Sequence, residues 1–348
     1  MTATAEHGQE VGRPRLRKED ARLITGRTRY TDNLSLNGML HMALVRSPVA
    51  HATITNIDTS VAKSMSGVMA VWTGADLAAE QGSLPCAWAI TPDMKAPPAP
   101  SLATDTVHFA GEAVAVVIAR TAYEAADAAA AIDVDYSELP VVLDMPTAIA
   151  DGADLVHPDL GTNISAVWAF DSGEAGTGGD VEEAIAGAEV LIERTYRQQR
   201  LVPAFMEPRS VVVDPTGEQY TMWSATQIPH VLRLMLALTL GVPEHKVRVI
   251  APDVGGGFGG KLQVTPEEVV TFLAARRLGK PVKYTESRTE SVQSAHHGRD
   301  QIQKLTLAAR RDGTVTGLKV ELLADMGAYL RLVTPGVPIL GAFMFNAI

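Results

Sequence analysis

The stretch DVGGGFGGK, Asp253 to Lys261, is the densest run of glycine in the chain. Gly255, Gly257 and Gly260 satisfy G-x-G-x-x-G, the dinucleotide fingerprint. Gly255 with Gly260 and Lys261 nearly satisfies the P-loop pattern, but Leu262 stands where a magnesium-binding Ser or Thr belongs. KVRVIAPDV, a strand-like run, feeds the loop. TPEEVVTFLAARRLG follows and predicts a helix, with Thr265 as cap, Pro266 at the first position, Glu268 closing a capping box and Gly279 as the stop. A dinucleotide fold needs its third glycine inside the first helical turn, where pyrophosphate meets the helix N-terminus. Here Lys261 to Val264 intervene, and Asp253 before the turn would repel a phosphate. Glu286, at the end of the next strand-like run, is what favours a nicotinamide cofactor. Common to every reading is a glycine turn whose backbone N–H groups can crowd an anionic or oxo ligand, because no Cβ blocks the approach.

Outward from the loop, the pattern is α+β. MLHMALVRS, HATITNID, VMAVWTG and EAVAVVIA read as strands, and TAYEAADAAAAI as a helix capped by Thr121 with Glu124. LPCAWAITPDMKAPPAPSL is a proline-rich loop. DSGEAGTGGD is a loop before DVEEAIAGA, a short helix capped by Asp180. EVLIERTYRQQR, RSVVVD, QYTMWSAT, DQIQKLTLAARR and VTGLKVELLAD read as strands, the last two joined by a hairpin at Asp312–Gly313. IPHVLRLMLALTLG has helical spacing and stops at Gly241. The expected division is a basic N-terminal arm over 1–30, an α/β domain over 31–150 and a second domain over 161–348. The arm is either a solvated surface segment or a docking segment for an acidic partner subunit.

Of the 348 residues 46% are apolar and 20% charged, which suits a globular chain with a real core. A net charge of −10 argues against non-specific nucleic-acid binding. Cys86 is the single cysteine, so these residues hold no internal disulfide and no Cys-ligated cluster. There is no signal-peptide pattern and no run long enough to span a bilayer, so a cytoplasmic location is expected. His296 and His297 adjoin, but chain neighbours rarely bind one metal, and no H-E-x-x-H exists. His230 reads as a helix cap or core residue.

GGGFGGK after a strand, preceded by SATQIPHVLR and MEPR, resembles the molybdopterin-binding large subunit of the xanthine dehydrogenase and aldehyde oxidase family. Within that family the likeness is to the bacterial branch that includes the carbon monoxide dehydrogenase large subunit. RKEDARLITGRTRYTDNLSLNGMLHMALVRSPVAHATITNIDTS looks like that branch's opening, and GEAVAVVIARTAYEAADAAAAIDVDYSELPVV like the rest of its hammerhead-like domain. The resemblance implies a hammerhead-like α/β domain followed by the first molybdopterin-binding domain. It implies hydroxylation of a small carbonyl, heterocyclic or carbon monoxide substrate at a molybdopterin cytosine dinucleotide. Electrons would leave through iron–sulfur clusters to FAD, carried on an iron–sulfur subunit and an FAD subunit. Molybdenum would be held through the pterin and not by side chains.

Carried over by motif, Gln227 matches the glutamine whose amide donates to a molybdenum oxygen, and Phe258 and Gly259 match the pair whose backbone N–H faces the other oxygen. Gly255, Gly256, Gly257 and Gly260 would shape the turn, and Glu207 is a candidate pocket residue, with a salt bridge to Arg209 or another arginine as the competing reading. Leu262 stands where purine-oxidising relatives carry a glutamate, which points away from a purine. Family large subunits continue well beyond Ile348, and the substrate loop and general base lie in the part not matched here. The chain is therefore expected to be completed by a second chain supplying that half, to be a truncated product, or to be an inactive assembly module. A nicotinamide-dependent oxidoreductase is the rival enzyme reading.

Overall fold

The computed structural model describes residue 12, residues 14–176 and residues 178–345. Thirteen strands occur among them: β1 (Leu40–Arg46), β2 (Ala52–Asp58), β3 (Val68–Thr73), β4 (Thr106–Val107), β5 (Ala113–Ala119), β6 (Asp133–Glu138), β7 (Val190–Leu201), β8 (Ser210–Asp214), β9 (Tyr220–Ser224), β10 (Val247–Ile250), β11 (Val282–Thr285), β12 (Gly298–Ala309) and β13 (Val315–Ala324). They form a seven-stranded mixed sheet in the order β10-β9-β8-β11-β1-β5-β3 and two three-stranded sheets, β13-β12-β7 and β4-β2-β6.

The large sheet crosses the expected domain division. β1, β3 and β5 come from the first segment and β8 to β11 from the second, and the seam is a parallel pairing of β1 with β11, Leu40 opposite Val282 and Met42 opposite Tyr284. Two apolar clusters explain why. β5 is buried along its whole length, so its two faces feed different cores, as a continuous apolar run requires. Val116 and Ile118 pack with β8, β11 and the Pro266–Leu278 helix, whereas Val114, Ala115 and Val117 pack with β2, β3 and the Ala122–Ala130 helix.

The Pro266–Leu278 helix is buried from Glu267 to Ala275, which a surface helix with one apolar stripe could not be. Its interior threonine, Thr271, satisfies its hydroxyl by donating to the Glu267 carbonyl (2.6 Å). Among the described residues no helix is long and apolar enough to cross a membrane.

In the basic arm a short helix, Asp20–Ile24, carries Arg22 onto Asp253. The arm thus touches the glycine loop; Arg13 lies outside the described residues. The apolar stretch near the chain end forms the Gly336–Phe345 helix, with Val337 and Leu340 exposed.

Candidate functional site

The loop leaves β10 at Ile250 and the following helix begins at Pro266, so none of its glycines lies in a helical turn. The helix start is fixed by its capping box. Thr265 N–H donates to Glu268 Oε2 (3.0 Å), and the buried Glu268 also accepts from Ser224 Oγ (2.7 Å). Burial pushes the Glu268 carboxyl up to about 7.

Three glycines of the turn are fixed by packing, the first being Gly255, whose Cβ would lie 2.6 Å from Glu207 Cβ. A Cβ on Gly257 would lie 2.6 Å from Gln227 Cδ, and one on Gly260 would lie 2.7 Å from both Phe205 Cε1 and Pro203 Cγ. Others are fixed by conformation: Gly256 has φ +98° and Gly259 φ +83°. Phe258, between them, also has a left-handed backbone, φ 52°, and is 77% exposed. For a bulky aromatic residue that combination is unfavourable in both backbone and hydration terms.

Gln227 lies between β9 and the Pro229–Leu240 helix and is clasped to the turn. Its N–H donates to the Lys261 carbonyl (3.0 Å), and its Oε1 accepts from the N–H groups of Gly259 (3.1 Å) and Lys261 (3.3 Å). Both loop partners are donors, so the amide orientation follows: the oxygen faces the turn and the Nε2 amine is left over. Neither that amine nor the Phe258 N–H has a hydrogen-bond partner among the described residues. Gly259 N–H is engaged by Gln227, so of the Phe258–Gly259 pair only Phe258 keeps an unengaged backbone donor.

Beneath the turn lies a buried ionic floor. Glu207 Oε2 accepts from Gly255 N–H (2.7 Å) and from Lys261 Nζ (2.8 Å). The Lys261 side chain is fully closed off, sits over the Phe205 ring at 4.8 Å, and has its pKa lowered, first by burial. Glu207 thus clamps both ends of the loop through Oε2 while its Oε1 is buried without a partner among the described residues, and its salt-bridge partner is Lys261, not an arginine. Arg209 pairs instead with Glu286 (2.6 Å). That pairing removes Glu286 as a ribose ligand.

Topology also departs from a dinucleotide unit. β10 and β11, on either side of the loop and helix, are separated in the sheet by β9 and β8. One expectation is weakened in the other direction: Asp253 pairs with Arg22 and accepts from Arg29 N–H (3.0 Å), so its charge is largely compensated. His296 is mostly buried, its pKa pushed down to about 4 chiefly by burial, and no group of three or more His, Cys, Asp or Glu among the described residues could hold a metal ion.

Sequence reasoning missed the buried role of Lys261, because a lysine closing a glycine run reads as a phosphate ligand. The signal was there in the absent Ser or Thr at position 262. The outer face of the turn is an array of uncharged N–H donors without partners, held over glycines that permit close approach. Such donors suit the oxygen atoms of a bound group, and no carboxylate of the floor competes at that face.

Residues 156–347 match the model of the molybdopterin cofactor-binding domain, and residues 25–140 match that of the aldehyde oxidase and xanthine dehydrogenase a/b hammerhead domain. The chain is 37% identical to the nicotine 6-hydroxylase large subunit of Paenarthrobacter nicotinovorans over 92% of its own length and 38% of that protein's. It is 38% identical to the carbon monoxide dehydrogenase large chain of Hydrogenophaga pseudoflava over 90% of its own length and 39% of the relative's. Among solved structures, quinoline 2-oxidoreductase from Pseudomonas putida 86 superposes with a TM-score of 0.84 at 37% identity, covering 92% of this chain and 40% of that one. The chain thus spans about two fifths of these relatives. With both domain models matched in order, and a glycine turn that meets a glutamine instead of a helix N-terminus, the chain belongs to the xanthine dehydrogenase and aldehyde oxidase family of molybdopterin-binding large subunits.

Proposed function

We propose that this chain is the part of a molybdenum hydroxylase that grips the metal's oxygen ligands from the glycine turn. The group would be a molybdopterin cytosine dinucleotide, with molybdenum held through the pterin. Bound, it supplies oxygen transfer to an electron-poor carbon and accepts the two electrons released. The chain's own contribution is positional. Gln227 Nε2 and the Phe258 N–H are fixed donors, and fixed dipoles stabilise developing charge without reorganising. The observation that carries this reading is the pair of hydrogen bonds that the Gly259 and Lys261 N–H groups donate to Gln227 Oε1, which orients the amide before any ligand arrives.

The substrate is a small carbonyl, heterocycle or carbon monoxide. Leu262, directly beyond Lys261, offers no charged group to a purine. The names of the relatives, a large subunit and a large chain, support a multi-subunit assembly, and the family resemblance makes its electron acceptors an iron–sulfur subunit and an FAD subunit. The chain spans about two fifths of those relatives, which favours a further chain or segment completing the site. We place the assembly in the cytoplasm.

The test is metal and pterin analysis of the complex co-purified with the products of neighbouring genes. Molybdenum and a cytosine dinucleotide near one per chain are expected. A complex with neither, together with calorimetric NAD binding abolished by Gly257→Val, would overturn this reading for the nicotinamide one.

A further inference from the structure

Away from the outer face of the turn, a cavity of about 300 Å³ opens between the N-terminal part of the Pro266–Leu278 helix, the His296–Arg299 segment and residues 324–338. Its walls carry five arginines, Arg46, Arg200, Arg209, Arg299 and Arg331, which are unevenly paired. Arg46 pairs with Glu267 (2.8 Å) and Glu290 (3.0 Å), Arg209 with Glu286 (2.6 Å), and Arg200 with Asp300 (2.9 Å) and Asp325. Arg331 has no ion pair among the described residues. Its Nη1 is shut off from solvent without a hydrogen-bond partner, and its guanidinium is offset over the Tyr329 ring at 5.2 Å.

A guanidinium does not shed its proton, so an enclosed one needs a counter-charge. Glu112 lies in its field but outside ion-pair distance. Its carboxylate accepts from the His108 N–H (2.6 Å) and from the Tyr329 hydroxyl (2.8 Å), and burial raises its pKa to about 7, so it compensates only in part at neutral pH. Two further donors on the same walls are also enclosed and unpartnered, Arg209 Nε and Ser101 Oγ. His297 Nε2 is orphaned too, and the one orphaned acceptor there among carboxylates is Glu267 Oε2, whose charge Arg46 already answers. The volume equals roughly ten waters at about 30 Å³ each, ample for a small anion. The wall is also built with strain: Arg299 and Asp300 are consecutive non-glycine residues at φ 71° and 59°.

We propose that this cavity binds an oxyanion, the phosphate or carboxylate group of a small molecule, gripped by Arg331 with Arg209 Nε and Ser101 Oγ. It shares no residue with the Gln227–Phe258 array, so it stands or falls independently of the cofactor reading.

The experiment is calorimetric titration of the chain with inorganic phosphate, and in parallel with acetate, at ionic strength held constant with chloride. Saturable binding of at least one of the two is expected, and which one binds tells a phosphate site from a carboxylate site. Arg331→Met should weaken it by at least about 10-fold, the loss of a charge-assisted contact. Ser101→Ala should weaken it by about 3-fold or more and, because the hydroxyl makes no hydrogen bond among the described residues, should leave folding intact, so it decides the matter if Arg331→Met fails to fold. Arg233→Met, on the surface beside Glu244, should change nothing. No saturable binding of either anion, or equal binding by the wild type and Ser101→Ala, would overturn the proposal.

Discussion

The floor and the rim of the glycine turn are built from the same nine residues under opposite rules. At the floor, Gly257 and Gly260 are glycine because a Cβ would strike Gln227 or Phe205, and Lys261 is enclosed with its charge matched by Glu207. At the rim, a Cβ on Gly259 would meet nothing within 4 Å, and Phe258 stands 77% exposed on a left-handed backbone. The floor is what the fold needs. The rim is a local choice that folding alone would not favour, and such departures concentrate where a molecule does its work.

If the floor carries the stability, the largest loss should come from Lys261→Met, which leaves Glu207 buried without its cation. Breaking a buried pair costs about 3–5 kcal/mol, read as the drop in unfolding free energy in urea. Next is pH. The Glu268 carboxyl rises from 4.5 to about 7 on folding, so its stabilising contribution is complete below pH 4.5 and is lost as pH climbs through 7. At about 1.4 kcal/mol per unit this amounts to about 3 kcal/mol, and Glu268→Gln should flatten that part of the stability profile. Gly257→Ala should cost about 1–3 kcal/mol by overpacking Gln227. Smallest of all, Phe258→Ala at the rim should stay within about 0.5 kcal/mol of wild type in thermal unfolding. A large effect at Phe258, or none at Lys261, would erase the distinction between floor and rim.

Local chemistry made much of this legible. The Thr265, Pro266, Glu268 and Gly279 signals bound the Pro266–Leu278 helix as expected, and Thr121, Asp180 and Gly241 likewise mark real helix ends. The Asp312–Gly313 turn does join β12 to β13. The proximity of Gln227 to the turn followed from motif likeness, not from any periodicity. What could not be read was pairing at long range. Nothing in MLHMALVRS says that β1 lies beside β11, because parallel neighbours from distant segments leave no turn signature. Nor could the ionic floor be read, since Glu207 and Lys261 are 54 residues apart and meet only once the sheet has formed.

The most direct test of the central claim, that the Gln227 amide and the Phe258 N–H hold a ligand's oxygens, is the molybdenum content of the co-purified complex carrying Gln227→Ala. Loss of two hydrogen bonds at an exposed site should cost the fold only about 1–2 kcal/mol, leaving the chain folded. The predicted result is a folded complex retaining at most about one tenth of the wild-type molybdenum, the loss of one strong donor contact. A Gln227→Ala complex with wild-type molybdenum and an unchanged Mo(V) paramagnetic resonance spectrum would contradict the account.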